Sequence, residues 1–136
     1  MKKILIFEED IVFSFILKRT LEKLGYSAVV ANNEANVRNA FVDEKTFDLF
    51  LFDTGEDVAN VDFLQKIRDE NPTLKIIISA GFIIGKWRKF KIQGLLMKPY
   101  TIQELDLMLK IYSPKKQIRT FYFLTKLFVF LTDNSN

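Results

Sequence analysis

The chain has 136 residues, 49% of them hydrophobic and 27% charged, which suits one globular domain with a continuous core and leaves no room for two ordinary ones or for an internal repeat. It contains no cysteine and no histidine, so disulfide frameworks, thiolate chemistry, serine–histidine catalysis and zinc sites of the usual ligand set drop out. The net charge of +3 hides an asymmetry, for residues 1–81 hold ten Lys or Arg against fourteen Asp or Glu and residues 82–136 hold ten against three.

The first apolar run, residues 3–7, reads as a strand. Carboxylates follow it from Glu8, so the apolar stretch is too short for a signal-peptide core and a cytoplasmic location is expected. Val12, Phe13, Ile16, Leu17, Leu21 and Leu24 then recur at three- and four-residue spacing, predicting a helix with Gly25 at its C-terminal cap. A second strand is expected over 27–31. A helix over 34–43 follows, capped by Asn32 or Asn33 and turning Val37, Ala40 and Phe41 inward.

The third strand is expected at 49–52 and the third helix at 60–70, ending ahead of Pro72. A fourth strand at 75–79, a brief helix near 84–91 and a fifth strand at 95–97 complete the alternation. The last helix, 101–112, opens on a capping box formed by Thr101 and Glu104 and stops before Pro114. Short, nearly all-apolar runs alternating with helices predict an α/β fold: a doubly wound, five-stranded parallel sheet of (βα)5, flavodoxin-like type, with its site outside the carboxyl ends of the central strands.

The residues just past those strands are Glu8, Glu9 and Asp10 after the first, Asp53 and Thr54 after the third, Ser79 and Ala80 after the fourth, and Lys98 and Pro99 after the fifth. Several carboxylates in one crevice repel, so the crevice either binds a hard divalent cation through oxygen or raises a carboxyl pKa; Mg²⁺ is the natural candidate. A hydroxyl and an ammonium opposite the acids are what phosphoryl transfer to a carboxylate needs.

The run from Lys3 to Asp10, the run ending in Asp53, the Ile-Ile-Ile-Ser79-Ala80 strand and Lys98-Pro99-Tyr100 stand in the order and approximate spacing of a response-regulator receiver domain. The resemblance to this CheY-like family of two-component signalling covers residues 2 to about 112. It implies that Asp53 accepts a phosphoryl group from a sensor histidine kinase or phosphotransfer protein, that Ser79 and Lys98 contact that group, and that Glu8, Glu9, Asp53 and the Gly55 carbonyl hold Mg²⁺. It also implies a signalling domain and not an enzyme, with at most slow autodephosphorylation.

The sequence departs from the family where Glu9 stands for the usual Asp, which predicts weak or altered Mg²⁺ binding. It departs again where Leu95 stands for the usual switch aromatic three positions before the lysine. A degenerate pseudo-receiver, acting as a phosphorylation-independent interaction module, is the alternative. A phosphatase using Asp53 is disfavoured, because Gly55 stands where a second acid is needed.

Lys86, Trp87, Arg88 and Lys89, with Leu95 and Tyr100, form the expected surface for a downstream protein partner. No recognition-helix pattern accompanies the basic end, so nucleic-acid contact is not expected. Residues 1–113 are assigned to the receiver-like domain and 114–136 to an apolar C-terminal extension. Its run 118–131, rich in Phe, is too short to cross a bilayer, and packing on its own domain or homodimerisation is expected. With no output domain in view, a stand-alone module signalling by protein contact is expected.

Overall fold

The computed structural model describes residues 2–44, 46–53, 60–81 and 91–112. Five parallel strands, β1 (Lys3–Phe7), β2 (Ser27–Ala31), β3 (Leu49–Asp53), β4 (Ile76–Ala80) and β5 (Gly94–Met97), form one sheet in the order β2-β1-β3-β4-β5. The four helices are α1 (Ile11–Lys23), α2 (Glu34–Glu44), α3 (Asn60–Glu70) and α4 (Ile102–Ile111). The order reverses at β1, between β2 and β3, which opens a crevice at the carboxyl ends of β1 and β3. The expected helix near 84–91 lies outside the described residues.

Alternation along the strands divides the core in two. Leu5, Phe7, Phe50, Phe52, Ile76, Ile78 and Leu95 face one side with Val37 of α2 and Phe63, Leu64 and Ile67 of α3. Ile4, Ile6, Leu49, Leu51, Ile77 and Leu96 face the other with Leu17 and Leu21 of α1 and Leu105, Met108 and Leu109 of α4. Both faces are covered, so the strands read as unbroken apolar runs instead of alternating ones. The Phe7 and Phe52 rings stack at 5.0 Å and tie the two central strands together just below the crevice.

The boundaries agree with expectation to within one or two residues: β3 runs on to Asp53, β4 lies one residue later than 75–79, and β5 starts at Gly94. The caps are of the kinds expected. Thr101 accepts from the Glu104 amide, and Asn33, not Asn32, accepts from the Asn36 amide. After α1, Gly25 at φ +96° ends the helix, with its amide on the Glu22 carbonyl and the Tyr26 amide on Leu21. That is a Schellman closure, which needs the left-handed residue that glycine supplies.

The inward face of α1 is narrower than its apolar spacing. Leu17 and Leu21 are buried with Ser14, but Val12 is 70% and Ile16 53% exposed. Apart from Ser14 the first turns of this helix are apolar all round, so periodicity could not say which side meets the sheet. The capping of α1 by Asp10 and the hydrogen bond from Asn32 to Ser14 Oγ orient it so that Ser14, Leu17 and Leu21 face inward.

Candidate functional site

The site is assembled at the carboxyl ends of β1, β3, β4 and β5. Asp53, the last residue of β3, is 4% exposed and pairs in register with Ser79 of β4, which is 1% exposed. Lys98 follows β5 directly. Its amide donates to the Ala80 carbonyl, aligning the exit from β5 with the end of β4, and its Nζ lies 2.5 Å from Asp53 Oδ1. The Lys98–Pro99 bond is cis.

Glu8 enters from β1. Its amide donates to Ala31, its carbonyl accepts from the Asn32 side chain, and its Oε1 accepts from the Asp10 amide. The other oxygen, Oε2, is buried with no protein donor. Burial pushes the Glu8 carboxyl up to about 8, helped by its interaction with Asp53. Two carboxyls and one ammonium thus share a small volume, and without a bound cation Glu8 favours its protonated form.

This geometry predicts a pH dependence. In metal-free buffer the folded chain keeps the Glu8 proton up to about pH 8, whereas an ordinary Glu loses it near 4.5. The folded state therefore binds more protons between those values. The stability tied to Glu8 is fully present below pH 4.5 and is lost as pH rises through 8. Urea titrations at pH 6 and pH 8 should differ by about 1–2 kcal/mol, and Glu8→Gln should flatten the difference.

Tyr100, expected on a partner surface, is half-buried with its hydroxyl interacting with Ser79; burial, with the charges of Asp53 and Glu8, pushes that hydroxyl up to about 12. It stays a neutral phenol beside the site. Leu95 is corrected outright: it is 5% exposed, paired with Ile78 and packed in the α2–α3 core, because β5 alternates like its neighbours. Asp10 is engaged as the N-cap of α1, accepting from the Phe13 amide, and Glu9 is exposed.

Thr54, Gly55 and the Lys86–Trp87–Arg88–Lys89 segment lie outside the described residues, as does the extension from 113 onward. Among the described residues no group of three or more acidic side chains forms a metal cluster. Glu8 and Asp53 are still an oxygen-only pair of the kind a hard cation takes, and the donor-free Glu8 Oε2 fits such an ion; these two would hold Mg²⁺. The bond from Asn32 to the Glu8 carbonyl was missed by the sequence reading, for an asparagine next to a helix start signals a cap first.

Neither a family model nor a curated protein matches the chain. Solved structures do. The response regulator TrrA from Thermotoga maritima, in complex with Mg²⁺ and BeF, superposes with a TM-score of 0.69 at 21% identity, over 83% of this chain and 100% of that one. A CheY-like receiver domain protein from Methanospirillum hungatei gives 0.70 at 25% identity, over 81% and 91%. The chemotaxis protein CheY4 of Vibrio cholerae gives 0.70 at 19%, over 81% and 97%.

This chain has the receiver-domain fold. Asp53, Ser79 and Lys98 stand together around one crevice, at the carboxyl ends of β3, β4 and β5. No helix among the described residues is long and apolar enough to cross a membrane.

Proposed function

We propose that this receiver fold takes a phosphoryl group on Asp53 within a two-component phosphorelay and passes the signal on by protein contact. The observation that carries the reading is the buried Asp53 carboxylate held at 2.5 Å by Lys98, with Ser79 in register beside it. A cation against the nucleophile and a hydroxyl next to it are the parts that stabilise a transferring phosphoryl group.

The donor is a phosphohistidine on a sensor kinase or phosphotransfer protein, since this chain has no histidine of its own. An Asp53 oxygen attacks phosphorus and the P–N bond breaks. Its electron pair leaves with the donor imidazole, and an acyl phosphate forms on Asp53. Lys98 offsets the added charge, and the Ser79 hydroxyl donates to a phosphoryl oxygen. Mg²⁺, bound by Glu8 and Asp53, would screen those carboxylates from the incoming phosphoryl oxygens. Such a change of charge at a buried strand end can bias the neighbouring surface that a partner reads.

Acetyl phosphate or phosphoramidate with Mg²⁺ should label the wild-type chain and leave Asp53→Asn unlabelled, read by intact mass. The pseudo-receiver reading is favoured by two observations: Leu95 is packed in the core where a mobile switch residue would stand, and Glu9 is an exposed residue. Absence of labelling together with absence of Mg²⁺ affinity would establish that reading instead.

A further inference from the structure

The phosphoacceptor crevice does not use a cluster of exposed apolar side chains on α1 and at the start of α4. Ile11, Val12, Phe15 and Ile16 of α1 are exposed, and Ile102 at the start of α4 is exposed as well. Between the two helices runs a groove of about 510 Å³ lined by Phe13, Ile16, Leu17, Pro99, Ile102 and Leu105. An apolar patch of this kind on a soluble domain marks a surface that something covers.

The nearest candidate is the chain itself. Helix α4 closes at its C-cap, Tyr112, and after the five residues 113–117 the apolar run from Ile118 to Leu131 begins. That run carries Phe121, Tyr122, Phe123, Leu124, Leu127, Phe128, Val129 and Phe130, with Arg119 and Lys126 as its only charges. Chain length allows the return. Residues 113–117 reach up to ~17 Å when extended, and α4 is ~15 Å long, so a reversal after Tyr112 brings residues 118–131 alongside Leu105 and Ile102.

The match of chemistry is close, since the groove is walled almost wholly by carbon and the run offers little else. Tethering also favours the same chain over a second copy, because a short linker holds the segment near its groove at an effective concentration of order millimolar. Burial of large aromatic side chains against Phe13, Ile16 and Ile102 supplies the driving force.

We propose that residues 118–131 of the same chain fold back into the groove between α1 and α4 and cover its apolar face. The inference stands apart from the phosphoacceptor reading. It does place the segment beside Lys98, Pro99 and Tyr100, which form one wall of the same groove.

The absence of native cysteine lets a nitroxide be attached to Thr125→Cys alone in the full chain. In ¹⁵N-enriched labelled protein, amide signals of residues 11–17 and 102–105 should lose intensity. They should keep it when spin-labelled, unenriched chain is mixed with unlabelled, enriched chain. Adding Ile16→Asp, an exposed helix position, should abolish the broadening and leave the strand amides unshifted. Broadening confined to the mixed sample would assign the groove to a second copy and overturn the proposal. So would full intensity at α1 and α4 in the singly labelled chain, or broadening that survives Ile16→Asp.

Discussion

Arg68→Met is expected to destabilise the fold by about 3 kcal/mol while leaving phosphoryl labelling of the folded chain intact. Arg68 sits near the end of α3, 7% exposed. Its guanidinium donates to the carbonyls of Asn71, Pro72, Leu74 and Lys91 and to Gln93 Oε1, and Gln93 Oε1 in turn accepts from the Ile76 amide. One side chain therefore fastens the exit from α3 to the first residues of β4 and to the lead into β5. Burial lowers its pKa, but a guanidinium has so much margin that the charge stays.

Methionine fills similar volume and removes every donor. Several carbonyls, that of Leu74 buried outright, then lose a charged partner, at about 1–3 kcal/mol for each one left unsatisfied and less where water can enter. Urea unfolding with an unchanged slope and a lowered midpoint is the expected reading. Because Arg68 works at the amino ends of β4 and β5, opposite the crevice, acetyl phosphate labelling well below the midpoint should match wild type. Arg68→Lys should recover only part of the loss, since an ammonium cannot spread over so many acceptors.

Lys98→Met should have the opposite profile, a small stability change and a large loss of function. The ammonium is partly exposed while its partner Asp53 is buried, so water can reach round to screen the carboxylate, and a cost of about 1–2 kcal/mol is expected. Transition-state charge is a different matter. Removing one preorganised charged donor from a phosphoryl-transfer site costs on the order of a hundredfold or more in rate. The labelling rate with phosphoramidate should fall by about that factor, and pairing Lys98→Met with Asp53→Asn should recover stability, because no carboxylate is then left facing Glu8.

How legible all this was in the chain follows from what each residue meets. The strands were readable because β1, β3 and β4 are buried on both faces and so are apolar at every position except Lys3 at the start of β1 and Asp53 and Ser79 at the carboxyl ends of β3 and β4. Asp53, Ser79 and Lys98 were readable for the same reason, each being the first polar residue to break such a run. The orientation of α1 was not, since Ile11, Val12, Phe13, Phe15 and Ile16 surround its first turns and only the tertiary setting turns Ser14, Leu17 and Leu21 inward.

Arg68 was invisible as well. It sits among Lys66, Asp69 and Glu70, where an arginine looks like any solvated helix residue, and its acceptors come from loops brought near only by folding. Leu95 could have been placed in the core by alternation with Leu96, had the family's switch position not drawn it to the surface. Tyr100 shows the reverse. Its place after Lys98-Pro99 pointed to a partner surface, and the fold brings its hydroxyl to Ser79.

The claim on which the functional reading turns is that the carboxylate of Asp53 is the group that takes phosphate. It is tested most directly by treating the full chain with acetyl phosphate and Mg²⁺, reducing the acyl phosphate with borohydride, and mapping the product by peptide mass. One modified residue is expected, position 53, converted to homoserine, and none in Asp53→Asn. Modification of any other carboxylate, or an unmodified chain after prolonged treatment, would contradict it.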